Sequence, residues 1–116
     1  MVVDDEQPVI DSIRYIIEEY RPDLRIAATA LSGMEAVRRA AETRPDILFV
    51  DIRMPGIDGL EALRQIHAIL PNAVAILATA YERFDIAQNA LRIGVFDYVV
   101  KPFTRDAVLS ALDGAV

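Results

Sequence analysis

Residues 47–59, ILFVDIRMPGIDG, run four apolar residues into a carboxylate and then into a Pro-Gly turn closed by an Asp-Gly pair. A continuous apolar run of four to eight residues bounded by turn formers suits a strand covered on both faces, the situation of a parallel sheet with helices on either side. Asp51 then stands at the carboxyl end of a central strand. It could start the turn, hold a metal ion or be a nucleophile, and the flanking sequence has to decide.

Upstream, Val9, Ile10, Ile13, Ile16, Ile17 and Tyr20 recur at the spacing of one helical face, and Pro22 stops the pattern. Before them, MVV is short enough to be a clipped first strand. LRIAATA (24–30) alternates Leu24, Ile26, Ala28 and Ala30 as a second strand. Ser32 and Glu35 have the spacing of a capping box, so a second helix begins there, with Ala36, Val37, Ala40 and Ala41 inward as far as Arg44-Pro45.

Downstream, Asp58 is placed to cap a third helix bearing Leu60, Leu63, Ile66 and Leu70, which Pro71-Asn72 ends. AVAILA (73–78) is the fourth strand. A fourth helix is expected over Phe84 to Ile93, with Gly94 as the left-handed residue past its end, and YVV (98–100) is the fifth strand. Thr104 caps a last helix carrying Val108, Leu109 and Leu112. Five strand-helix alternations predict an α/β fold with a doubly wound parallel sheet and helices on both faces. Ligands of such folds bind beyond the carboxyl ends of the strands.

At 116 residues the chain suits one domain. A net charge of −6 argues against the chain itself gripping a phosphate backbone, so any DNA contact would need a separate domain. With no cysteine, thiolate chemistry and disulfides are excluded. No apolar run approaches a membrane span and the N-terminus lacks a signal peptide's pattern, so the expected location is the cytoplasm, without membrane contact. Neither G-x-x-x-x-G-K nor G-x-G-x-x-G occurs, which leaves nucleotide binding without support.

The predicted strands end in polar residues: Asp4, Asp5 and Glu6 after the first, Asp51 after the third, Thr79 after the fourth and Lys101 after the fifth. A parallel sheet brings these ends to one rim. Carboxylates without His or Cys suit a hard divalent cation such as magnesium, with manganese as a substitute. The one histidine, His67, falls on the third helix, away from the rim, where it reads as a partly solvated helix residue. A cation, a lysine and a hydroxyl around one carboxylate make a phosphoryl-transfer arrangement, in which Asp51 could serve as nucleophile.

These segments resemble the receiver domain of bacterial two-component response regulators over essentially the whole chain. VVDDE is similar to that family's first strand and acidic pair, DIRMPGIDG to its phosphoacceptor loop, LATA to its switch-threonine strand and YVVKPF to its aromatic and lysine segment. The resemblance implies a five-stranded flavodoxin-like sheet in the order 2-1-3-4-5. It implies that Asp51 accepts a phosphoryl group from a sensor histidine kinase, with magnesium on Asp5 directly, on Asp4 through water, on Asp51 and on the backbone carbonyl of Arg53. Lys101 and Thr79 would contact the phosphoryl oxygens, and Tyr98 would swing inward as Thr79 moves. That would change the face made by the fourth helix, fifth strand and fifth helix, on which a phosphorylation-dependent homodimer could form. The Lys101-Pro102 peptide bond would be cis.

The resemblance further implies a first strand trimmed at its start and a receiver, residues 1–116, excised from a longer regulator. The stretch TAYERFDIAQNALRIGVFDYVVKPF (79–103) is most similar to receivers joined to AraC-type helix-turn-helix domains, which control transcription; a stand-alone receiver in a relay or chemotaxis-like pathway is the alternative. Haloacid-dehalogenase-type phosphatases also use a strand-end Asp with magnesium, but need a second Asp two residues on. Arg53 stands there and cannot take a proton from water at neutral pH, so a signalling domain with slow dephosphorylation is expected rather than an enzyme that turns over.

Overall fold

The computed structural model describes residues 1–54, 56–79, 97–101 and 103–116, with Thr79 described by its backbone alone. Five parallel strands form one sheet in the order β2-β1-β3-β4-β5: β1 (Val2–Val3), β2 (Thr29–Ala30), β3 (Ile47–Asp51), β4 (Val74–Thr79) and β5 (Asp97–Val100). Four helices are described, α1 (Gln7–Tyr20), α2 (Gly33–Thr43), α3 (Gly59–Ile69) and the C-terminal α4 (Arg105–Ala115). The helix expected over 84–93, with Gly94, and the expected cis bond at Pro102 lie outside the described residues.

Strand alternation divides the core into two layers. Val3, Leu48, Val50, Ala75 and Leu77 point to the side where Ala36 and Ala40 of α2 and Leu63 and Ile66 of α3 are buried. Val2, Phe49, Ile76, Ala78 and Val99 point to the other, against Ile10, Ile13 and Ile17 of α1 and Val108 and Leu112 of α4. Both faces of β3 are therefore covered, which is why its apolar run is unbroken. Phe49 and Phe103 meet edge to face at 5.7 Å, tying β3 to the start of α4.

Capping follows the sequence closely. Asp58 accepts the Glu61 N–H at 2.9 Å and Thr104 accepts that of Ala107 at 3.1 Å. Ser32 Oγ accepts the Glu35 N–H at 3.2 Å, but the Glu35 carboxylate accepts from Leu31 N–H rather than from Ser32. Arg44 ends α2 in the left-handed region with φ 48°.

Three expectations are corrected. The second strand is two residues long, because β1 presents only Val2 and Val3 for pairing and 24–27 have no ladder partner. Ala41 is exposed, lying beyond the edge of the α2 stripe that buries Ala36 and Ala40. Tyr20 is also exposed: its hydroxyl accepts from Arg105, whose guanidinium stands 4.8 Å from the ring centroid, so it joins α1 to α4 at the surface. Arg21 adds an ion pair to Asp113 across the same junction and a local one to Asp23. His67 is partly buried, its Nε2 3.1 Å from the Ala73 carbonyl. No helix among the described residues is long and apolar enough to cross a membrane.

Candidate phosphoryl and metal site

Register brings the polar residues together. Val3 pairs with Ala30 and Val50, and Asp51 with Ala78, so Asp4 and Asp51 leave adjacent strands at one level. Thr79 pairs with Val100, which puts Lys101 at the same rim. Carboxylate oxygens of Asp4, Asp5 and Asp51 lie within 4.8 Å of one another. Asp4 is 1% exposed and Asp51 5%, while Asp5 faces solvent.

Two buried carboxylates side by side repel unless something positive stands between them. Lys101 does so: its ammonium donates to Asp4 Oδ2 at 2.8 Å and lies 3.3 Å from Asp51 Oδ2. The other Asp4 oxygen accepts the Glu6 N–H at 2.9 Å, and Asp51 Oδ1 accepts the Arg53 N–H at 3.3 Å. Burial, and then the neighbouring Asp4, raise the Asp51 pKa above its ordinary 3.8 against the opposing pull of Lys101. For Lys101 burial works downward, but its pairing with Asp4 and Asp51 prevails and the pKa is raised.

The chain after Asp51 is folded back tightly. Gly59, the first residue of α3, donates its N–H to the Ile52 carbonyl at 2.8 Å. A Cβ at Gly59 would lie 2.0 Å from the Asp51 carbonyl oxygen, so only glycine allows α3 to start against the end of β3. In the sequence this Asp-Gly pair reads as the close of a turn; that it braces Asp51 has no signature beyond the glycine itself. Asp5, Ile52, Arg53, Met54 and Asp58 line an open cleft of ≈ 500 Å³ beside the cluster. Asp58, one of these, serves as the α3 cap.

Thus Asp4, Asp5, Asp51 and Lys101 are brought together, and Arg53 adjoins them through its backbone and the cleft. Tyr98 lies on β5, 44% exposed, opposite Leu77, and is not part of the cluster. The donor set fits a hard cation: the oxygens are carboxylates, two are held rigidly, and the exposed Asp5 leaves room for coordinated water.

Comparison with known proteins gives a consistent picture. The family model for the response regulator receiver domain matches residues 1–113. The chemotaxis protein CheY of Listeria monocytogenes is 40% identical over 99% of this chain and 95% of its own length. The DNA-binding transcriptional regulator NtrC of Escherichia coli is 37% identical over 99% of this chain but 24% of its own length. Among solved structures, the CheX-CheY-BeF3-Mg complex of Borrelia burgdorferi contains a chain that superposes with a TM-score of 0.89 at 30% identity, covering 96% of this chain and 83% of that one.

Proposed function

Because this chain belongs to the response regulator receiver domain family, we propose that residues 1–116 form one phosphoacceptor module in which Asp51 is the acceptor. The observation that carries the proposal is a buried carboxylate at a central strand end with a lysine ammonium 3.3 Å away and two more carboxylates at hand.

Asp51 attacks the phosphorus of a phosphohistidine on a sensor histidine kinase. The Asp51 oxygen–phosphorus bond forms as the phosphorus–nitrogen bond breaks, and the departing imidazole keeps the bond's electron pair. Lys101, already at Asp51 Oδ2, pairs with a phosphoryl oxygen, and Thr79 takes another at the end of β4. Asp4, Asp5, Asp51 and the Arg53 carbonyl would hold magnesium, or manganese, which would supply positive charge to offset that of the phosphoryl group. Tyr98, exposed on β5, is the output switch, with the predicted fourth helix and α4 completing the face on which a second copy of the chain docks after phosphorylation. The setting is the cytoplasm. Arg53 supplies no acid or base for water, so the phosphoryl state persists as a signal rather than turning over.

The output proposed is transcription control through a separate DNA-binding domain, which the likeness to the receiver portion of NtrC supports. The match to nearly the whole of the Listeria CheY favours the second reading, a stand-alone receiver in a chemotaxis-like pathway.

Incubation with magnesium and acetyl phosphate followed by intact mass measurement tests the acceptor. One added phosphoryl group is expected on the wild type and none on Asp51→Asn. Equal labelling of both, or steady hydrolysis of phosphate esters at ordinary enzyme rates, would overturn the reading.

A further inference from the structure

The first turn of α2 lies directly on the backbone of the segment that follows Asp51. A Cβ at Gly33 would stand 2.6 Å from the Ile57 carbonyl oxygen and 2.6 Å from Ile57 Cγ1. The side chain could turn away, but the carbonyl belongs to the main chain. Gly33 is buried and shows no positive φ, so the reason for glycine here is proximity rather than backbone conformation.

Residues 52–58 are thus held at two points, by Gly59 against Asp51 and by Gly33 against Ile57, with Gly56 turning the chain between them at φ 78°. The two sides of the Gly33 contact differ in stiffness. The α2 start is fixed by Ser32 accepting Glu35 N–H, by Glu35 accepting Leu31 N–H at 2.9 Å and by Ala36 N–H donating to the Ser32 carbonyl at 3.0 Å. The described residues of the 52–58 segment belong to no helix or strand. A Cβ at Gly33 is therefore expected to move this segment rather than the hydrogen-bonded start of α2.

We propose that Gly33 is a positioning residue for the cation site: by letting α2 rest on the Ile57 backbone, it fixes where the segment carrying Arg53 lies relative to Asp5 and Asp51. This rests on the reading of those carboxylates as a magnesium site. Magnesium demands near-ideal octahedral geometry, whereas calcium accepts irregular and longer coordination. A few tenths of an ångström at the segment should therefore penalise magnesium more than calcium, a signature that general loosening of the fold does not produce.

Calorimetric titration of the chain with magnesium and, separately, calcium tests this. Gly33→Ala is expected to weaken magnesium binding roughly tenfold, the scale of change on disturbing groups that orient metal ligands, and calcium binding distinctly less. Labelling by acetyl phosphate should need correspondingly more magnesium for half-maximal rate but reach the wild-type plateau. Val108→Ala, a cavity in the α4 layer away from the segment, controls for stability and should leave both affinities unchanged. Equal magnesium affinity in Gly33→Ala and wild type, or an equal shift in Val108→Ala, overturns the role of Gly33. Absence of cation binding by the wild type overturns the site reading and this inference with it. If Gly33→Ala does not fold, Glu35→Ala frees the α2 start without adding an atom; it should weaken magnesium a few-fold, and an unchanged affinity would be equally fatal.

Discussion

The two sides of the strand-end rim are built differently. At the ends of β1 and β3, Asp4 and Asp51 are buried, their oxygens already hydrogen-bonded, and the chain beyond Asp51 is braced by a glycine. At β5, on the sheet's edge, Asp97 and Tyr98 are exposed. Chemistry needs reacting groups held in place before the substrate arrives, while a switch needs an element with room for a second arrangement. A central strand, covered on both faces, supplies the first; an edge strand supplies the second. Lys101 links them, since it leaves β5 and ends on Asp4 and Asp51.

Removing that link should have the largest effect. Lys101→Ala leaves two buried carboxylates without their cation, and breaking such a pair typically costs about 3 kcal/mol or more. The loss belongs to buried negative charge, so it should be full at pH 7, shrink as Asp51, whose pKa is raised, is protonated in acid, and narrow when magnesium replaces the missing charge. Denaturant unfolding at pH 7 and pH 4, with and without magnesium, measures it. A loss independent of both pH and metal would mean that the lysine stem, rather than its charge, joins the two regions.

The sequence made the central half more legible than the edge. The apolar run of 47–50 required coverage on both faces, and the alternation of Val2 with Val3 and Phe49 with Val50 across the two core layers follows from strand periodicity. The positions of Asp4, Asp51 and Lys101 followed from parallel strands ending at one rim. What escaped depends on partners distant in sequence. LRIAATA alternates correctly but pairs only at Thr29 and Ala30, because pairing belongs to two strands and β1 is short. Tyr20 fitted the helical stripe, yet Arg105, 85 residues away, holds it at the surface. Which carboxylate Lys101 approaches most closely, and what Gly33 and Gly59 make room for, are facts of packing with no local signal.

Asp51 itself offers a smaller test of the central region. Its raised pKa, caused first by burial and then by Asp4, means that the folded chain prefers the neutral acid. Below the ordinary value of 3.8 the carboxyl is protonated folded or unfolded, so it contributes no pH dependence there. As pH rises through the window from 3.8 to the raised folded value, the unfolded chain ionises first and metal-free stability falls. Asn cannot ionise and leaves Lys101 paired with Asp4. Asp51→Asn should therefore match the wild type in strong acid and exceed it at pH 7, with a higher Tm there. Thermal unfolding in chelator across that range is the measurement, and a constant gap would show that the central carboxylates are not held against their ionisation.

Tyr98 should give the smallest change in stability, and for that reason it separates the two regions most cleanly. The residue is 44% exposed on an edge strand, and substitutions at such positions usually stay within about 0.5 kcal/mol. Tyr98→Ala should unfold almost as the wild type does and accept a phosphoryl group at the same rate, because Tyr98 stands outside the cluster of Asp4, Asp5, Asp51 and Lys101. If the edge is the part that moves, the ring must change environment when Asp51 is phosphorylated, and only then. NMR of ring-labelled tyrosine, with the Tyr98 resonance assigned by its loss in Tyr98→Ala, should show that signal becoming less solvent-accessible on adding magnesium and acetyl phosphate. Asp51→Asn should show no such change. A ring equally exposed in the phosphorylated protein would place the switch elsewhere on the rim and leave the division between a fixed centre and a movable edge without its moving part.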